Sequence, residues 1–336
     1  MEVDAFFRQS RVFLVAGKGG VGKTTVTAAL AHLAADAGLS VLVVELEGRD
    51  GISAAFGRTG PLGYAEVVLR AAGAILEEGD DDSRVPAGSV RARTITPDDA
   101  LLEYLADHGL RRVSKRLVAS GIVDLVAGAV PGIRDILVLG KVKQIERARL
   151  ADVVLVDAPA TGHTLTFLSS ASGLLDAARG GPIRSQAADV VDLLSDPSRC
   201  QVVLVTLPEE MPVNEVVDAA FALEDRIGVA LGPIIVNGCL APLPAAETPA
   251  TAAAAQAGLE LGPEILRALE EARTFRLVRQ RLQEEQLARL AQELPLEQLR
   301  LPYLFAPSIG PAEVDLLRDA LSEGVRRLRD PAGVSA

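Results

Sequence analysis

The chain has 336 residues, which allows one large α/β domain or two smaller ones, and 49% of them are apolar, enough for a sizeable core. Aromatic residues make up only 3% and Trp is absent, so Ala, Leu and Val must do most of the packing. A formal net charge of −11 disfavours nucleic acid and anionic membrane surfaces as partners, since both carry phosphate charge of the same sign.

Residues 1–10 are acidic and then aromatic, without the basic stretch and apolar run of a leader. The longest apolar stretch, 117–140, is interrupted by Asp124, Pro131, Arg134 and Asp135 and falls short of a membrane span. A cytoplasmic protein is expected. The cysteines, Cys200 and Cys239, form no CxxC pair, and free thiols are favoured over a disulfide.

Nearly unbroken apolar runs occur at 11–16, 41–46, 152–157, 201–206 and 233–237. Apolar on both faces, they suit parallel strands covered by helices on each side. A helix is expected over 21–37, between the first two runs and before Gly38. Strand, glycine loop, helix and strand make a βαβ unit, so the fold class is α/β: a doubly wound, mostly parallel sheet. The chain reads as a single domain, 1–336. Over a hundred residues separate the second and third strands. Within them, 78–92 is acidic and rich in small residues and reads as an exposed loop; about 97–149 reads as a helical insertion, with Asp98 and Asp99 able to cap a helix start. Residues 241–258, rich in Ala, Pro and Thr, read as a loose linker. Residues 264–294 carry leucines and charges at helical spacing, for one or two long helices packed on the sheet, and the chain frays from about 329.

The main chemical signal is Gly17-Lys18-Gly19-Gly20-Val21-Gly22-Lys23-Thr24-Thr25, which fits G-x-x-x-x-G-K-[ST] between an expected strand and helix. Glycines let the backbone turn its amides toward phosphate oxygens, and the next helix adds its positive end. Lys23 should reach the β- and γ-phosphates and Thr24 should bind Mg²⁺. Two of the chain's five lysines fall in this loop. ATP with Mg²⁺ is the expected ligand pair. Asp157, ending the third apolar run, stands where a metal-site carboxylate is needed. Small residues and Gly162 follow it and suit a mobile switch. Glu45 and Glu47, two apart at the end of the second run, share one side of an extended strand. Glu47 is expected to orient the attacking water and Glu45 to lie nearer the metal, unless one of them is simply solvated. His163, without a ligand cluster around it, reads as a hydrogen-bonding switch residue.

These features resemble the ArsA/Get ATPases, the arsenite-efflux ATPases and those that target tail-anchored membrane proteins. The resemblance covers nearly the whole chain. Residues 17–25 are similar to the family's KGGVGKT loop, and 157–168 to its D-T-A-P-T-G-H-T-L-R-F-L switch. Pro131-Gly132-Ile133 resembles a client-region helix, Val236-Asn237 the segment whose Asn reads adenine, and 301–307 with Glu313-Val314 the segment near the base, including Pro307. Lys18 marks the deviant form of the loop, which implies a dimer in which this lysine reaches the partner's nucleotide. Glu47-Gly48-Arg49 departs from the family's usual D-P-A-H, which puts the placing of water in doubt and implies slow turnover. The E-x-E-G form is similar to a bacterial branch with paired ATPases. The zinc-binding CxxC, the arsenite-binding cysteines and the tandem duplication are not recognisable, so a homodimer or a heterodimer with a paralogue is expected.

The leading expectation is an ATP-hydrolysing dimeric switch whose helical insertion, about 97–149, binds a hydrophobic or membrane-protein client. The alternatives are a weakly hydrolysing or non-hydrolysing regulatory subunit paired with a paralogue, and an energising subunit of anion export. Negative charge argues against a DNA-partitioning ATPase.

Overall fold

The computed structural model describes residues 1–46, 51–71, 86–107 and 132–328. Their strands form one sheet in the order β3-β4-β2-β5-β1-β6-β8-β9, with β7 paired to β6. They are β1 (Val12–Gly17), β2 (Val41–Glu45), β3 (Val67–Arg70), β4 (Val90–Thr94), β5 (Val153–Ala160), β6 (Cys200–Thr206), β7 (Ala230–Leu231), β8 (Ile234–Cys239) and β9 (Gln298–Pro302). Every pairing is parallel except that of the edge strand β3 with β4. The expected doubly wound sheet is therefore present, with all five apolar runs among its strands.

Each central strand feeds two cores, because successive side chains point to opposite faces. In β1, Val12, Leu14 and Ala16 enter one core; Phe13 and Val15 enter the other. The first core is closed by α5 (Ile133–Ala148), α6 (Thr161–Ala177), α7 (Pro182–Ser195) and α8 (Glu210–Ile227). The second is closed by α1 (Val3–Phe7), α2 (Lys23–Asp36), α3 (Gly51–Ala55) and α11 (Pro311–Arg327). Alanines at 28, 29, 31, 34 and 35 let α2 lie close on the sheet. It ends at Gly38, whose φ of +82° lets the Leu39 amide turn back to the Ala34 carbonyl.

Strand register is pinned at the entry edge. The Asp152 carboxylate accepts hydrogen bonds from the Ser40 amide and hydroxyl, at 2.9 and 2.7 Å. From that start Glu45 falls opposite Asp157 across β2 and β5. On the same edge buried Glu146 takes Arg11 at 2.9 Å and Arg199 at 2.7 Å.

Two expectations about the chain's course need correction. The exposed loop expected over 78–92 gives way, at its end, to fully buried β4; residues 72–85 lie outside the described residues. Arg91 and Arg93 of this strand both face the buried side chain of Glu66, at 3.6 and 3.7 Å. The linker expected over 241–258 is a 3₁₀ turn (Pro244–Glu247) followed by α9 (Ala250–Gln256). The stretch 264–294 is one long surface helix, within the expected one or two: α10 (Pro263–Glu293) packs through Gln283, Leu287 and Leu290, and Ile265, Leu269, Phe275, Val278 and Leu282 are exposed along the rest. In the expected insertion, α4 (Pro97–Asp107) and α5 are helical, and 108–131 lie outside the described residues. No helix among the described residues is long and apolar enough to cross a membrane.

Candidate nucleotide-binding site

Parallel pairing brings the carboxyl ends of β1, β2, β5, β6, β8 and β9 to one edge of the sheet, where open α/β sheets bind ligands. The loop from Gly17 to Gly22 leaves β1 there and turns into α2. Gly17 has to be glycine: a Cβ would stand 2.2 Å from the Val205 carbonyl oxygen of β6. Gly22 is held twice, by a φ of +93° and by Asn237, whose Nδ2 would lie 2.5 Å from an added Cβ. Val21 is buried and anchors the loop, whereas Gly19 and Gly20 form its open crest. The first intrahelical bond of α2 runs from the Val26 amide to the Gly22 carbonyl, so the amides of Lys23, Thr24 and Thr25 have no acceptor within the helix. Backbone amides so placed at a helix N-terminus form a cradle of the kind that suits an anion.

The predicted side chains gather around it. The Thr24 hydroxyl donates to Asp157 Oδ2 at 2.7 Å, and Asp157 is buried at the point where β5 passes the loop. Glu45 is buried beside it on β2 and accepts from the Thr94 hydroxyl at 3.2 Å. Hydroxyl and carboxylate oxygens are the donors that Mg²⁺ prefers, so Thr24 and Asp157 fit the expected metal, with Glu45 one strand away. No cluster of three or more His, Cys, Asp or Glu residues suited to a metal exists among the described residues. Lys23 Nζ folds back to the Lys18 carbonyl at 3.2 Å. Lys18 Nζ pairs with Glu215 on α8 at 2.5 Å, with both side chains a little over a third exposed. Glu47 lies outside the described residues; beyond that gap, Gly51 packs so closely that a Cβ would meet Thr24 Cγ2 at 2.8 Å.

Other expected positions behave differently. The Asn237 amide braces the loop, donating to the Val21 carbonyl at 2.9 Å and accepting from the Gly238 amide at 3.0 Å. Pro307 is exposed on the segment between β9 and α11. The segment after Asp157, expected to suit a switch, passes directly from strand to helix: β5 runs to Ala160 and α6 starts at Thr161, tied by the Thr164 hydroxyl to the Pro159 carbonyl at 2.7 Å. His163 is exposed on the first turn of α6. Both cysteines are free, as expected. Burial pushes the Cys200 thiol up to about 12 and the Cys239 thiol up to about 11, so neither offers a thiolate near neutral pH.

Comparison with known proteins agrees with this geometry. The family described as anion-transporting ATPase matches residues 10–177, half of the chain, from β1 through the whole of α6. The chain belongs to the anion-transporting ATPase family. Its similarity to ATPase BagA of Mycobacterium tuberculosis is 37% identity over 234 residues, covering 68% of this chain and 64% of that protein. An arsenical pump-driving ATPase of Escherichia coli is 26% identical over 253 residues, 70% of this chain and 41% of its own. ATPase get3 of Schizosaccharomyces pombe is 29% identical over 156 residues, 46% of this chain and 41% of its own. The chain thus spans less than two thirds of each of these relatives.

Four participants escaped the sequence reading. Glu215 lies almost two hundred residues from Lys18, Thr94 sits in the strand mistaken for a loop, and Gly51 and the Val205 carbonyl act by shape alone. Only Thr94 had a local signal: the alternating pattern of Val90, Ala92 and Thr94.

Proposed function

We propose that this family member binds ATP with Mg²⁺ on the loop Gly17–Thr25 and hydrolyses it in a dimer whose second copy, the same chain or a paralogue, contributes Lys18. The observation that carries this reading is the 2.7 Å bond between Thr24 and Asp157 beside the amide cradle. Bound Mg²⁺ would take oxygen ligands from Thr24, Asp157 and the triphosphate and neutralise charge on the transferred phosphoryl group. Lys23 reaches the phosphates from the helix start. Glu47 orients the attacking water. Lys18 leaves Glu215 when nucleotide arrives.

The nucleotide state is passed to the helical insertion through β4, which carries polar contacts on both of its faces. Glu45 meets Thr94 on β4; on the same strand the Arg93 guanidinium lies over the Tyr64 ring, 4.3 Å from its centroid. The Tyr64 hydroxyl donates to Glu103 of α4, and Lys141 of α5 donates to the same carboxylate at 2.6 Å. Burial works to raise the Glu103 pKa, but the bonds from Lys141 and Tyr64 outweigh it and hold it low, so the link stays ionic. A hydrophobic client, such as a membrane-protein segment, is the proposed load on this insertion. Among the described residues of the insertion, Leu101, Leu102, Leu105 and Leu137 are partly buried and no large apolar side chain is fully exposed.

Phosphate release by the purified chain with Mg²⁺-ATP tests the proposal. Wild type turns over, and Thr24→Ala and Asp157→Asn each lose about 10²-fold or more in kcat while keeping their fold. Wild type that binds ATP without turnover would replace this reading with that of a regulatory subunit paired with a paralogue.

A further inference from the structure

Helix α9, the 3₁₀ turn before it and the first half of α10 line an open apolar cavity of about 500 Å³. None of the phosphate-loop residues line it. The volume lies within the range of small-ligand pockets, about 300–1,000 Å³. Leu243, Leu259, Leu261 and Leu269 supply most of the wall, and the alanines of α9 supply a smooth side. Such a lining gives water few hydrogen-bond partners, so an apolar occupant is favoured.

Two arginines stand among the lining residues, and they differ. Arg273 is satisfied: Glu270 takes its Nε and Nη2 at 3.0 and 2.6 Å, and the Ala246 carbonyl takes Nη1 at 2.8 Å. Arg276 has no carboxylate partner among the described residues. Its Nη2 donates to the Ala241 carbonyl at 2.7 Å, and its guanidinium lies 5.9 Å from the centroid of the Phe305 ring. Its Nε is buried and has no acceptor. A buried Nε–H with no acceptor among the described residues is a donor that a ligand oxygen would satisfy. A planar fork of donors suits a carboxylate or a phosphate.

We infer that this cavity binds a single-chain fatty carboxylate, with the acyl chain among the leucines and alanines and the head group on Arg276. The cavity volume suits one chain rather than the two of a phospholipid. The site is separate from the nucleotide loop and does not require turnover there.

The test uses the full chain and the fluorescent fatty acid cis-parinarate. Saturable 1:1 binding is expected, with displacement by hexadecanoate and at least tenfold weaker displacement by hexadecan-1-ol, which has the chain but no charge. Arg276→Gln should weaken binding about tenfold. Leu269→Glu, at a half-exposed helical position that tolerates charge, should abolish it, and Mg²⁺-ADP should not compete. Equal displacement by the acid and the alcohol would overturn the inference, as would a wild type without saturable binding. Loss of binding as the chain dimerises at higher concentration would overturn it too, and would assign the cavity to a second copy. The comparison of acid with alcohol needs no variant, so a folding defect cannot obscure the outcome.

Discussion

Replacing Gly22 by Ala perturbs the phosphate loop in two separable ways. The φ of +93° strains any L side chain, at about 1–3 kcal/mol. The new methyl would also lie 2.5 Å from Asn237 Nδ2, so the amide must swing away and give up its bond to the Val21 carbonyl, at about 1 kcal/mol. The sum is about 2–4 kcal/mol, which on the nucleotide-binding conformation alone is a 30- to 1,000-fold loss of affinity. Asn237→Ala separates the two terms. It costs about 1 kcal/mol by itself, and in the double variant the clash is gone, so the double variant should resemble Gly22→Ala alone with a coupling near 1 kcal/mol. Denaturant unfolding and titration with a fluorescent ATP analogue measure both quantities. Costs that add within about 0.3 kcal/mol would refute the claim that Asn237 braces the loop against Gly22.

Glu215→Gln should free Lys18 from its resting partner. The pair is too exposed to change stability by more than about 1 kcal/mol, but loss of the competing carboxylate should raise ATP affinity by up to about fivefold, measurable by equilibrium titration. Tyr64→Phe removes the hydroxyl that joins β4 to α4, so the protease sensitivity of the helical insertion should stop responding to ATP while nucleotide affinity stays within about twofold. Burial, then the charge of Arg70, lowers the pKa of His32, whose ring stacks on Phe56 at 4.4 Å. A folded pKa below the unfolded 6.5 gives stability that is full above that value and lost as pH falls through the folded one. His32→Gln should therefore flatten the acid side of a stability profile taken from pH 7.5 down to 5, and an unchanged profile would count against the assignment.

The fold was legible where one face of the argument sufficed. Runs such as 152–157 are apolar on both sides, and only a doubly covered parallel strand has that need. β4 was hidden because its two arginines are neutralised by Glu66, a contact that exists only once β3 has folded against it. β9 was hidden by its length and by exposed Arg300 between Leu299 and Leu301. At the site, the loop and Asp157 were legible because local geometry forces their residue types. Glu215 was not, since nothing in α8 records that Lys18 lies beside it. The α9–α10 segment misled because Ala, Pro and Thr read as a linker, whereas small side chains there let a short helix close over a cavity.

The most direct test of a composite site uses two inactive variants. Lys18→Ala keeps its own phosphate cradle but offers nothing to a partner, and Lys23→Ala loses its own cradle but still offers Lys18. Each alone should hydrolyse Mg²⁺-ATP at background. Mixed in equal amounts, they should recover about a quarter of the wild-type rate, because half of freely exchanged dimers are mixed and each mixed dimer has one complete site. A mixture that stays at background beside an active wild type would contradict the account, and would leave Lys18 acting within its own chain.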